Sequence, residues 1–331
     1  MSPPEPQVTE VAAPGAALAG AIRQLVATSP DARISPPISE RGLLHLRSGP
    51  PFRHFVLQQD AQLIGYAQLD EDTDHVGVEL VAGGSRPDEV AVEMLAAVDL
   101  ATRPAPLRMW AHGSNSVAHV AARRIGLIPV RALLQMRRTL AGLPAAVPPP
   151  AGVVIRPFVP GQDDEKWLAV NARAFADHPE QGRWTQADLA DRLTSDWFAA
   201  DGFLLAERAG ELVGFHWTKV HSDAVRPVGE VYVLGVDPRA QKIRLGRTLL
   251  LAGLRHLRQR GLDTVLLYTD QSNVAAVRLY TDLGFEVFAT DTQYARPAET
   301  LSTETRAAAI ADRPAIHARQ PLSQGIAAQF T

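Results

Sequence analysis

The sequence predicts an α/β (α+β) chain built as two tandem copies of one strand-and-helix unit. Three observations predict it: an alternation of strand, loop, helix, strand, helix and strand over residues 230–288, a second copy of its later motif 158 positions upstream, and a proline-rich spacer between the copies.

Bulk properties set the frame. With 331 residues there is material for two cores, and 46% hydrophobic with 21% charged residues is ordinary globular composition. A formal net charge of -3 argues against a general nucleic-acid binder. No run approaches the length of an uncharged membrane span, and Met1–Glu10 lacks the pattern of a signal peptide, so no membrane association and a cytoplasmic location are expected. The absence of cysteine removes disulfides, Cys-based zinc sites and thiol nucleophiles together. Ten histidines show no His-x-x-x-His spacing, and no metal is expected.

Residues 1–13 are expected to be disordered. Helices follow at 16–27 and, after the Pro36-Pro37 break, at 38–46, with Glu40 near the start of the second. Strands are expected at 53–58, 63–69 and 75–82, with the acidic turn Glu71-Asp72-Thr73-Asp74 before the last, and a helix at 89–101. The run Ser114–Leu127 then parallels Ser272–Phe285: Asn115, Ala118, Gly126 and Gln135 reappear as Asn273, Ala276, Gly284 and Gln293. Leu80-Val81-Ala82 aligns with Leu234-Gly235-Val236 at an offset of 154, so the first copy is four residues shorter in the loop 83–88. Residues 14–142 make the first domain. The linker 143–152 carries prolines that favour an extended spacer, and 153–297 makes the second domain.

In the second domain a strand at 153–156, a helix at 163–175, a polar connection over 177–184 and a helix at 185–195 precede strands at 203–206 and 212–220 around Ala209-Gly210. Glu230–Val236 reads as a strand that Asp237-Pro238 stops. The loop from Gln241 to Gly246 opens a helix whose apolar face holds Leu245, Leu249, Leu250, Leu254 and Leu257. That helix closes on Arg255, His256, Arg258 and Arg260 and on Gly261, all favourable at a helix C-terminus. A strand at 264–269 leads to Asn273 as N-cap and to a helix spaced on Val274, Val277, Tyr280 and Leu283, ended by Gly284. Residues 298–331 are expected to be mostly disordered, with helical character only over 304–311.

This order, with Gln241…Gly246 and Asn273-x-x-Ala276-x-x-Leu279-Tyr280-x-x-Leu283-Gly284-Phe285, resembles the GNAT acetyltransferases. The tandem layout, with His178-Pro179-Glu180-Gln181, Gly214–Lys219 and Gly229–Tyr232, is similar to one two-repeat branch of that family over about residues 36–296. The resemblance implies a mixed, mostly antiparallel sheet flanked by helices in each domain, acetyl-CoA as donor, and a monomer. It also implies acetyl transfer to the cysteinyl amine of a cysteinyl-glucosaminyl-inositol. A GNAT acting on another amine, and a non-catalytic acyl-CoA-binding protein, stay open as alternatives.

Site residues follow from the same resemblance. Glu230 is implied as general base and Tyr280 as general acid toward the departing thiolate, a role that suits a phenol of pKa ~10 beside a thiol of pKa ~8.5. Coenzyme A is implied along Leu234, Gly235 and Val236. Its pyrophosphate falls at Gln241, Lys242, Ile243, Arg244, Leu245, Gly246 and Arg247, where unpaired backbone N–H groups open a helix. Asn273, Val274, Ala275, Ala276, Val277 and Arg278 flank it. Substrate contacts are implied for Glu40, Glu180, Lys219, Glu230 and Tyr268. Arg244 departs from the family, which has glycine there, and is excluded only if φ must be positive. In the first repeat, Leu80, Val81 and Ala82 take the cofactor-binding position, but the following loop lacks the phosphate pattern and Ala122 replaces Tyr280. A weak coenzyme A site, substrate contacts, or scaffold alone remain open for that half.

Overall fold

The structure is a computed structural model that describes residues 7–29, 37–71, 75–113, 116–176, 181–222, 226–241 and 243–297. The first part of the chain runs β1 (Thr9–Val11), α1 (Ala16–Thr28), α2 (Glu40–Leu44), β2 (Phe52–Gln59), β3 (Gln62–Asp70), β4 (Val76–Ala82), α3 (Pro87–Thr102), β5 (Leu107–Ala111), α4 (Val117–Arg124) and β6 (Ile128–Thr139). The second runs β7 (Val153–Pro157), α5 (Asp164–Ala174), α6 (Gln186–Leu193), β8 (Phe203–Arg208), β9 (Glu211–His221), β10 (Val228–Val236), α7 (Leu245–Gln259), β11 (Thr264–Asp270), α8 (Val274–Thr281) and β12 (Glu286–Ala295).

Two compact units emerge. One joins the described residues up to Leu133 with those from Ala289, and the other is Leu134–Phe288. This differs from the boundary expected at 143–152, because each repeat's last strand is completed elsewhere. In the first unit the strand order is β1-β2-β3-β4-β5-β12, and in the second β6-β11-β10-β9-β8-β7. Thus β12, from the end of the second repeat, pairs antiparallel with β5 through Thr292↔Ala111 to Ala295↔Arg108. The described pairings are antiparallel except β4–β5 and β10–β11, which are parallel.

The start of the chain also departs from expectation. Within 1–13, residues 9–11 form a strand rather than disorder, paired to β2 from Thr9↔Val56 to Val11↔His54. Glu10 is held by Arg53 at 2.7 and 2.9 Å, and Val8 and Val11 pack on buried clusters. A three-residue strand carries no readable periodicity. The tail from 298, including 304–311, lies outside the described residues.

In the second unit the sheet has two differently furnished faces. Leu249, Leu250, Leu254 and Leu257 of α7 cover one. Opposite, α5 and α6 enclose an aromatic core in which Trp167, Phe203, Phe215 and Trp217 are fully buried, with Phe203 stacked on Trp217 at 4.1 Å. The close approach of α7 to β9 depends on Gly253. The His216 imidazole lies where a Cβ on Gly253 would stand, and burial pushes that imidazole down to about 4, so it is neutral and donates from Nδ1 to the Leu249 carbonyl at 2.9 Å. Gly253→Ala is therefore expected to destabilise the fold by about 2 kcal/mol through overpacking, read as a lower denaturant midpoint at unchanged slope.

Candidate active site

Strand β10 is the scaffold of the site, and an irregularity in it decides which way its side chains point. Its pairing with β9 runs from Val236↔Gly214 to Val233↔Trp217, then shifts, resuming at Val231↔Thr218 and Glu230↔Lys219. Tyr232 is the extra residue of a β-bulge, and a one-residue insertion swaps the faces of everything beyond it. Val233 and Gly235 therefore face the aromatic core, Gly235 so closely that a Cβ would clash with the Phe215 ring. Leu234, Val236 and, across the bulge, Val231 face α7. Glu230 emerges on the aromatic side; in an unbulged strand it would share the α7 side with Leu234 and Val236.

The second feature is a gap. β10 stays paired to β9 as far as Val236, but its parallel pairing to β11 covers only Gly229↔Val265, Glu230↔Leu266 and Val231↔Leu267. Beyond that point the two strands part, leaving the backbone edge of Leu234-Gly235-Val236 open toward β11. A main-chain edge in this state is a ready acceptor for an added extended ligand.

At the far end of β10, Asp237 is fully buried. Hydrogen bonds from Arg239 and then Arg173 hold its carboxyl well below the usual carboxylate range. It pins the turn that leads to the helix start. There Arg244 has φ 62° and ψ 18°, the left-handed conformation of the helix N-cap. Arg244 is tolerated, and at a cost: a side chain in this region is disfavoured by about 1 kcal/mol. Arg244→Gly is expected to be more stable than Arg244→Ala by about 1 kcal/mol, since both remove the cation and only glycine relieves the backbone. Equal thermal midpoints would contradict it.

Gly246 has an ordinary φ, and a Cβ there would meet only Leu279 and Val236 at 3.7 Å, a normal contact distance. Neither backbone nor packing demands glycine, so the space fits a group drawn close to the first turn of α7. That turn carries no acidic residue, and its unpaired N–H groups and the cations Arg244 and Arg247 suit a pyrophosphate. Lys242 lies outside the described residues; Gln241 is exposed, and Ile243 half-buried beside them.

Helix α8 stands on the α7 side. Asn273 accepts the Ala276 N–H at 3.1 Å as its N-cap. Val274 is 73% exposed, and Ala275 and Arg278 are exposed with it, while Ala276 and Val277 are half-buried. Tyr280 is buried in the cluster that also holds Val231, its ring edge-on to Phe285 at 5.7 Å. Burial pushes its hydroxyl well above the usual phenol range, so it is protonated throughout the physiological range.

On the aromatic face, Glu230 is 2% exposed and its Oε2 lies 2.7 Å from His221 Nε2. Lys219, directly opposite, has Nζ 4.8 Å above the Trp197 ring and 5.7 Å from that of Tyr232. Tyr268 alternates with Leu267 of the α7-side core, so it too is on the Glu230 face. His221, Trp197, Tyr232 and Arg192, which donates to the Tyr232 hydroxyl at 3.0 Å, were not anticipated from the sequence. The bulge that brings them together leaves no compositional mark. Glu180 falls outside the described residues. Glu40 is the first residue of α2 in the other unit, and its side chain is likewise not described.

The first unit repeats part of this plan. β4 pairs with β5 only over Val76–Val78, while β3–β4 pairing continues to Gly65↔Ala82, so the strands part beside Leu80, Val81 and Ala82. These three are buried. The β3–β4 ladder has no bulge, and five pairs from Gly65 it sets Gly77 opposite Asp70 where the second unit has Glu230 opposite Lys219. Helix α3 begins with Pro87, which lacks an N–H, followed by Asp88 and Glu89. That start is poor for an anion. Among the described residues no group of three His, Cys, Asp or Glu could hold a metal ion, and no helix is long and apolar enough to cross a membrane.

Comparisons with known proteins bear on the whole arrangement. Residues 169–285 match the acetyltransferase (GNAT) family. The chain is 52% identical over 265 residues to the mycothiol acetyltransferase of Streptomyces avermitilis, covering 78% of this chain and 85% of that one. It is 50% identical to that of Thermomonospora curvata, covering 79% and 88%. Among solved structures, a GCN5-related N-acetyltransferase from Sphaerobacter thermophilus superposes with a TM-score of 0.63 at 22% identity, covering 88% of this chain and 96% of that one. A tandem GNAT protein from the clavulanic acid biosynthesis pathway superposes with 0.62 at 19%, covering 88% and 98%; these two carry the fold alone.

Proposed function

We propose that this chain, which belongs to the mycothiol acetyltransferase family, transfers acetyl from acetyl-CoA to the cysteinyl amine of a cysteinyl-glucosaminyl-inositol, with the chemistry confined to the second unit. The observation that carries the reading is the combination in β10: a bulge that turns Glu230 to one face and a parting from β11 that opens a passage between the faces. Tyr280 belongs to the α7-side core and Glu230 to the aromatic side. A thioester threaded between β10 and β11 is the species that both groups can serve.

In this reading the pantetheine arm pairs with the free edge of Leu234-Gly235-Val236, and the pyrophosphate lies over Gln241 to Arg247, with Lys242 among them. Asn273 to Arg278 line its other side, where the exposed Val274 gains an apolar partner. Glu230 takes a proton from the substrate ammonium, directly or through one water. The neutral amine attacks the thioester carbonyl, and as the C–S bond breaks Tyr280 supplies a proton to the sulfur. Lys219 and Tyr268 contact the substrate on the Glu230 face, and Glu40 and Glu180 are carried as further substrate contacts. The first unit keeps the strand gap at Leu80–Ala82 without a phosphate-binding helix start, so it contributes at most a weak second acyl-CoA position.

Calorimetry with acetyl-CoA, followed by thiol release with the inositol-sugar amine, tests the proposal. Binding with rapid release supports it. Release only with a different amine favours another GNAT activity, and binding without release favours a non-catalytic carrier.

A further inference from the structure

A buried carboxylate takes its orientation from the hydrogen-bond donors it meets, because buried polar atoms are paired. Glu230 is in this position at 2% exposure, and among the described residues its carboxylate has one hydrogen-bond partner, His221 Nε2 at 2.7 Å from Oε2. The contact is itself enclosed, with 9% of the His221 side chain and 3% of that of Glu230 exposed. The register explains why it forms: His221 stands opposite Val228 and Lys219 opposite Glu230, so the imidazole reaches Glu230 diagonally across the ladder.

Tyr268 shares this face from β11, and the two cations nearby are engaged with rings. Lys219 lies over Trp197 and Tyr232, and Arg192 lies over Trp184 at 3.9 Å while donating to the Tyr232 hydroxyl. Among the described residues, the hydrogen bond to Oε2 comes from His221.

We propose that His221 is a positioning residue for acetyl transfer: its Nε2–H donates to Oε2 of Glu230, fixes that carboxylate in place, and turns Oε1 toward the amine. This rests on the reading of Glu230 as the base. The proton balance is simple. An N–H bond of the ammonium breaks, an O–H bond forms at Oε1, and His221 keeps its own proton throughout; Glu230 returns the acquired proton to water after the product leaves.

His221→Leu and His221→Gln provide the test, because leucine fills the space without donating and glutamine retains an N–H at similar reach. His221→Leu is expected to lower kcat at neutral pH about tenfold, the worth of one hydrogen bond to a charged group. It should leave acetyl-CoA affinity by calorimetry within about twofold, while His221→Gln recovers most of the loss. An unaffected leucine variant, or a glutamine variant that loses as much, overturns the proposal. If His221→Leu fails to fold, His221→Ala is assayed with and without added imidazole: recovery supports the proposal and its absence overturns it. Glu230→Gln measured alongside separates the two failures. If it is inactive while His221→Leu is unaffected, only the present inference falls; if it turns over normally, the base assignment falls first.

Discussion

Glu230→Gln is expected to lower turnover by ~10²- to 10⁴-fold, the usual contribution of a positioned general base, while acetyl-CoA affinity measured by calorimetry stays unchanged. The two readouts separate because Glu230 lies on the aromatic face, whereas the groups suited to the cofactor are the open edge of β10 and the first turn of α7. Glutamine preserves shape and can still meet His221, so the fold should hold. The defect should also shrink as pH rises. An ammonium substrate must lose a proton before it can attack; at high pH it does so to solvent, and the missing base matters less. A variant whose rate ratio to the wild type is constant across the pH range would remove Glu230 from that role.

Much of this site was legible in the sequence because its motifs are local. The strand stop at Asp237-Pro238, the helix start after the Gln241 loop and the Asn273 cap each lie within a few residues of the groups they position, and each appears where expected. What escaped is non-local. Tyr232 becomes a bulge only because β9 pairs with it in a shifted register, and nothing in Glu230–Val236 read alone says which face Glu230 takes. His221 sits on a different strand, and its partnership with Glu230 depends on the same register.

The exchange of last strands escaped for a similar reason. β12 alternates acceptably for either sheet, and the choice of β5 as its neighbour is made by packing, as when Tyr294 enters the first unit's core and its hydroxyl meets His119 Nδ1 at 3.0 Å. Only β5 left a signal that could have been used, since Leu107, Met109 and Ala111 are buried while Arg108 and Trp110 face outward.

The two repeats also explain each other once the ladders are aligned. An offset of 154 holds from Leu80 to Ala82, but the bulge adds a residue, so upstream of it the correspondence changes by one and Glu230 falls on Gly77. The first unit thus has Gly77 at the Glu230 position and Ala122 at the Tyr280 position. Two such differences, beside an acidic, proline-led start to α3, set it apart from the second unit at each position that the proposed reaction uses.

Tyr280→Phe is the companion experiment, expected to lower kcat by ~10²-fold or more as the loss of a general acid does, with little change in stability because the ring keeps its place against Phe285. Burial has raised the hydroxyl far above its ordinary range, which fixes the sign of a further result. Because this group titrates only at strongly alkaline pH, removing it should leave the neutral pH profile unchanged in shape and lower only its height. A departing thiolate needs a proton more the more basic it is, so the contribution of the hydroxyl should depend on the leaving group. With acetyl-CoA, whose thiol has a pKa of about 8.5 if it behaves as a free Cys thiol, the penalty should be large. With an acetyl thioester of a more acidic thiol, the departing sulfur needs less help, and the gap between wild type and Tyr280→Phe should narrow. An equal penalty for both donors would mean that the hydroxyl binds the cofactor rather than protonating it.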